Sequence, residues 1–162
     1  MTDVTPARFF SDILRSGMPK AVAWIKGNAD HPQLNGAVRF FMTPYGGCLV
    51  EAEIFGLPNI ATVGSSNFYG MHIHENGDCT LPFDRTGSHY SKADMSHPQH
   101  TGDMPPLMGN QGYAWLAFYD KRFVIPDILG RSVVIHAMAD DFVTQPAGNS
   151  GAKIGCGVIR EL

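Results

Sequence analysis

The chain has no Cys-x-x-Cys pair, no long apolar run and no cluster of positive charge. No two of its three cysteines, Cys48, Cys79 and Cys156, lie within Cys-x-x-Cys spacing, which argues against a zinc ribbon or a thioredoxin-like motif. An odd count leaves at least one thiol unpaired, and Cys48, beside an apolar stretch, reads as a small core residue. No segment approaches the roughly 18 apolar residues of a spanning helix, so no membrane segment is expected. The formal charge of -3 and the lack of a basic run give no support to nucleic-acid or membrane-surface binding. The start, Met1-Thr2-Asp3-Val4, lacks the basic residues and following apolar run of a secretory leader. The expectation is a cytoplasmic protein, or an exported one with the leader removed.

What is present is an ordinary globular composition. A hydrophobic fraction of 44% against 17% charged residues argues against disorder, and 162 residues suffice for one core. Residues 5 to 16 read as a helix. Thr5 is placed to cap it, Pro6 takes the favoured first position, and Gly17 ends it. Its apolar stripe of Phe9, Phe10, Ile13 and Leu14 can pack on the body of the chain or on a second copy. After Gly17 the pattern turns to short runs rich in β-branched and aromatic residues, at 21–26, 36–42, 48–55, 69–74, 112–119, 132–137 and 154–159. About eight strands at this spacing suggest an all-β antiparallel sandwich or barrel. Two long segments, 75–111 and 138–153, interrupt them and read as functional loops.

Histidine carries the chemistry. Six of the seven histidines fall into His72-Ile73-His74, His89, His97-Pro98-Gln99-His100 and His136, with Asp103 shortly after His100. Residues i and i+2 of a strand share a face, so His72 and His74 can converge on one ion. Either this pair or His136 alone would more often be a packed core histidine. The loop set is stronger, because four nitrogen or oxygen donors within fifteen residues (89–103) have no core-packing explanation. His89, His97, His100 and Asp103 form a three-histidine, one-carboxylate set suited to tetrahedral zinc. His72, His74, His89 and His136 form an all-nitrogen set suited to copper(II). His89 can serve both through its two ring nitrogens, as an imidazolate bridge.

At these residues the chain resembles the copper/zinc superoxide dismutases, closest to the bacterial type. The matching segments are Gly70-Met-His-Ile-His-Glu-Asn-Gly-Asp-Cys79, Gly87-Ser-His-Tyr90, His100-Thr-Gly-Asp103, Leu129-Gly-Arg-Ser-Val-Val-Ile-His136 and Gly148-Asn-Ser-Gly-Ala-Lys-Ile-Gly-Cys-Gly-Val-Ile159. The resemblance implies an eight-stranded antiparallel Greek-key β-barrel over residues 19–162, preceded by a helical extension at 1–18. It also implies copper on His72, His74, His89 and His136, and zinc on His89, His97, His100 and Asp103. From it come a disulfide between Cys79 and Cys156 and a carboxylate, Asp140, linking a copper histidine to a zinc histidine. Members of the family are often homodimers, which these residues do not themselves indicate.

The implied activity is disproportionation of superoxide to dioxygen and hydrogen peroxide, with His89 at the bridge and Lys153 drawing in the anion. The alternative is a non-enzymatic copper- and zinc-binding protein on the same fold. A cupin, which also uses His-x-His on a barrel, fits the dense second cluster poorly. The chain departs from the family twice. Lys153 stands where an arginine is usual, so the cation is kept and the planar two-pronged donor is lost, which implies slower turnover. Only Pro98 and Gln99 separate His97 from His100, fewer residues than most members place there.

Overall fold

Alternation of inward and outward side chains builds a closed antiparallel barrel. The computed structural model describes residues 5–59 and 66–162, so the start of the chain at residues 1–4 lies outside it. The strands are β1 (Ala21–Gly27), β2 (Asn35–Met42), β3 (Cys48–Phe55), β4 (Phe68–Tyr69), β5 (Met71–His74), β6 (Leu107–Met108), β7 (Ala114–Asp120), β8 (Ser132–His136) and β9 (Lys153–Glu161). Seven lie in one sheet in the order β5-β8-β9-β1-β2-β3-β7, every pairing antiparallel, and β4 with β6 forms a separate two-stranded ribbon. The ribbon joins the two ends of that sheet. β4 runs into β5 through Gly70, and β6 turns into β7 through an Asn110–Tyr113 bridge, where Gln111 and Gly112 both take positive φ. Counting β4 and β5 as one bent strand gives the expected eight.

Two differences from the sequence reading have simple causes. The strand expected over 69–74 breaks at Gly70, where a Cβ would lie 2.9 Å from Ser150 Oγ, so this backbone passes closer to the second loop than a side chain allows. A one-turn helix, α2 (Ile125–Ile128), stands where no helix was expected; four residues are too few to show periodicity. Among the described residues, no helix is long and apolar enough to cross a membrane.

Ile25, Val38, Phe40, Val50, Ile54, Ile73, Ile135 and Ile159 fill the barrel, with Cys48 among them. Burial pushes the Cys48 thiol up to about 12, with Asp120 adding to the shift, so it packs as an inert apolar group. Val22, Phe41 and Leu49 alternate with these core residues and face outward, yet all three are buried. Helix α1 (Pro6–Ser16) lies on that side. Its Phe10 sits 4.7 Å from the ring of Tyr119, the cross-strand partner of Leu49, and 5.8 Å from Tyr45. The apolar stripe therefore meets the body of its own chain.

Candidate metal centre

Met71 and Ile73 of β5 point into the core, so alternation sends His72 and His74 to the outer face. Both are nevertheless buried, because the segment after β5 folds back along its free edge. The N–H of Ile73 donates to Gly102 O (2.9 Å) and the N–H of Tyr90 to Ile73 O (2.8 Å). These bonds set His89 opposite His74 and Asp103 opposite His72. On β8 the same alternation places His136 outward, paired with Lys153 of β9 at a break in register.

All seven expected donors converge. His72, His74, His89 and His136 each bring one donor atom within 4.8 Å of the others, and so do His89, His97, His100 and Asp103. His89 belongs to both groups, and its ring centroid lies 3.9 Å from that of His72 and 5.5 Å from that of His97.

The partners of each ring fix which nitrogen is left for an ion. His74 Nδ1–H donates to Gly87 O (2.8 Å) and His136 Nδ1–H to Gly151 O (3.2 Å), which leaves both Nε2 atoms as acceptors. Asp140 accepts His72 Nε2–H on one oxygen (2.7 Å) and His97 Nε2–H on the other (2.8 Å), which leaves both Nδ1 atoms. Gly148 makes room for this arrangement. With φ at +68°, a Cβ there would fall 2.2 Å from Asp140 Oδ1 and 2.6 Å from His97 Nε2.

Burial lowers the protonation of these rings. It takes His74 down to about 2, with His136 as the next cause, and His136 to about 3, with His72 next. His72 is also lowered by burial, over the opposing pull of Asp140. Burial alone would raise the Asp140 carboxyl, but bonds from His72, the Phe142 N–H and His97 hold it below the usual carboxylate range. Burial works the same way on Asp103 and is overcome by His89. His72, His74 and His136 are thus held as neutral imidazoles and Asp103 and Asp140 as carboxylates, the protonation states that metal binding requires.

The donor set fits metal ions on one further observation. His72 Nδ1, His89 Nε2, His97 Nδ1 and His100 Nδ1 are buried ring nitrogens with no hydrogen-bond partner, and all four belong to the two groups. Two of them, His97 Nδ1 and His100 Nδ1, crowd one oxygen of Asp103 (3.1 and 3.2 Å), and since burying a polar atom unpaired costs about 1–3 kcal/mol, the cluster suits bound cations.

Lys153 lines a cleft of about 450 Å³ together with His74, His89 and His136. Its ammonium does not stand free. It donates to Thr86 Oγ1 (2.7 Å) and to the carbonyls of Gly87 (3.3 Å) and Phe83 (3.4 Å). Cys79 and Cys156 form a disulfide that ties this same loop to β9, the strand carrying Lys153.

Sequence reasoning missed two side chains. Gln145 grips His97 at both backbone groups, accepting its N–H (3.0 Å) and donating to its carbonyl (2.7 Å). Arg122 donates to the carbonyls of His100 (2.9 Å) and Asp103. In sequence, neither Arg122 nor Gln145 carries a signal that marks it.

The family model for copper/zinc superoxide dismutase (SODC) matches residues 34–159. A Cu-Zn superoxide dismutase of Deinococcus radiodurans is 34% identical over 152 residues, spanning 80% of this chain and 79% of that protein. Superoxide dismutase Cu-Zn 3 of Arabidopsis thaliana is 32% identical over 159 residues, spanning 88% and 91%. A copper chaperone for superoxide dismutase from Rattus norvegicus is 31% identical over 152 residues, spanning 86% of this chain but 52% of the relative. With the matched span holding both donor groups, whose chemistry suits copper and zinc, this chain belongs to the copper/zinc superoxide dismutase family.

Proposed function

We propose that the protein is a superoxide dismutase, converting two superoxide anions and two protons into dioxygen and hydrogen peroxide. His72, His74, His89 and His136 would hold copper, and His89, His97, His100 and Asp103 would hold zinc. Copper supplies one-electron redox chemistry there, and zinc supplies a fixed charge without redox change. The protein's own residues supply the rest. Asp140 orients one histidine of each group at once. The cleft at His74 and His136 admits a small anion, and the Lys153 ammonium on its wall gives that anion a favourable field. His89 Nε2, buried and without a protein partner, is the atom placed to carry a proton at the centre.

The observation that carries this reading is the set of orphaned ring nitrogens shared between two complete donor groups through His89. A non-enzymatic copper and zinc carrier is the competing reading, favoured by the chaperone relative. To separate the two, the purified chain is loaded with both metals and superoxide decay is followed by pulse radiolysis. Catalytic decay proportional to copper occupancy is expected; decay at the uncatalysed rate with copper fully bound would overturn the enzyme reading.

A further inference from the structure

The tight segment from His97 to Asp103 places three donors of the second group in seven residues, held at His97 by Gln145 and at Gly102 by Ile73 and Tyr90. A turn is present. The N–H of Asp103 donates to His100 O (3.1 Å), and Asp103 Oδ2 accepts the N–H of His100 (2.9 Å). Such a turn leaves its outward carbonyl positions to be fixed from elsewhere.

Arg122 provides that restraint. Its guanidinium is anchored on Asp120, the last residue of β7. Nε donates to Asp120 Oδ1 (3.0 Å) and Oδ2 (3.1 Å), and Nη2 donates to Oδ2 (2.6 Å). The remaining donors reach past the carboxylate. Nη1 takes the carbonyl of His100 and Nη2 that of Asp103. One planar five-donor group thus joins the rigid end of a barrel strand to the two peptide units that aim two donor side chains. A lysine could not do this, having a single nitrogen in place of a fork.

We propose that Arg122 is a positioning residue for the zinc site, setting its affinity by locking the His100–Asp103 turn from outside. It touches neither the donor atoms nor the cleft. This rests on the assignment of His89, His97, His100 and Asp103 to zinc made above. Supporting groups one step removed from metal ligands typically alter affinity 10- to 100-fold, and an effect of that size is expected on removing the fork.

The test is zinc affinity, measured by chelator competition on the full chain, together with the visible spectrum of cobalt(II) placed in the zinc site. Arg122→Gln and Arg122→Lys are compared with wild type and with Arg39→Gln, which removes an ion pair to Glu51 and Glu53 on a distant face of the sheet. The expected result is a 10- to 100-fold weaker zinc affinity in both Arg122 variants and a cobalt spectrum altered in band position or intensity. Arg39→Gln should leave both readouts as in wild type. If Arg122→Gln does not fold, Arg122→Lys keeps the charge opposite Asp120 and decides alone. Zinc affinity and cobalt spectrum equal to wild type in the folded variants would overturn the role of Arg122, even if melting temperature falls. Failure of wild type to bind one zinc at all would instead overturn the assignment beneath it.

Discussion

His74 and His136 face each other nitrogen to nitrogen, their Nε2 atoms 3.3 Å apart, while each donates its Nδ1 proton to a backbone carbonyl. With both Nδ1 protons so placed, two acceptor nitrogens meet in a buried space, an arrangement that a cation between them would relieve. Folding without metal must hold these acceptors together, and burial already resists protonating either ring.

The metal-free protein should accordingly lose stability as pH falls. Both rings are lowered from the ordinary 6.5, to about 2 and about 3. Between those values and 6.5 the unfolded chain binds protons that the folded chain does not. Stability is then greatest above 6.5 and drops with decreasing pH, at about 1.4 kcal/mol per pH unit for each fully protonated unfolded-state histidine. Urea titrations of the metal-free chain from pH 7.5 to pH 5 check this; a midpoint independent of pH would contradict it.

Asp140→Asn should weaken the hold on both ions. An amide can accept one of the two ring N–H groups but turns its own NH2 toward the other, so His72 or His97 loses its orientation. A 10- to 100-fold fall in metal affinity is expected. Chelator competition with each metal separately would show it, and retention of both affinities would mean that the rings are held by packing alone.

Lys153→Gln removes the cation on the cleft wall. We expect kcat/KM for superoxide to fall by about tenfold and its decline with added salt to flatten, since steering is the term salt screens. Lys153→Arg should keep the salt dependence. Stopped-flow rates at three ionic strengths distinguish these outcomes from a general loss of structure.

The disulfide spans a sequence separation of 77 residues. Constraint of so long a loop in the unfolded chain corresponds to roughly 4 kcal/mol. Cys156→Ser should lower unfolding stability by about this amount, read from denaturant midpoints under non-reducing conditions. A change below about 1 kcal/mol would mean that the loop is held chiefly by Lys153 and the edge pairing of β5.

Most of the centre was legible because its signals are local. Alternation within a strand sets His72 with His74, and donor chemistry sets His97, His100 and Asp103 apart from ordinary loop residues. The strands were visible for the same reason, down to the outward Trp24 and inward Ile25 of β1. What sequence could not supply depends on contacts between remote segments. The break at Gly70 is dictated by Ser150, eighty residues on, and the ribbon strands are too short to carry a pattern. Arg122 and Gln145 act on backbone atoms, which every residue possesses, so no residue type at the receiving end marks them. The apolar face of α1 was plain in sequence, but its partner Tyr119 emerged only with the fold.

Closing the cylinder through β4 and β6 has a mechanical consequence. That seam consists of two residue pairs, Phe68 with Met108 and Tyr69 with Leu107, whereas β2 and β3 are joined over eight. Unzipping there would bare the edges along which β4 and β6 now pair with each other. The shortest stitch in the wall thus guards against the one event that turns a barrel into a template for its own aggregation.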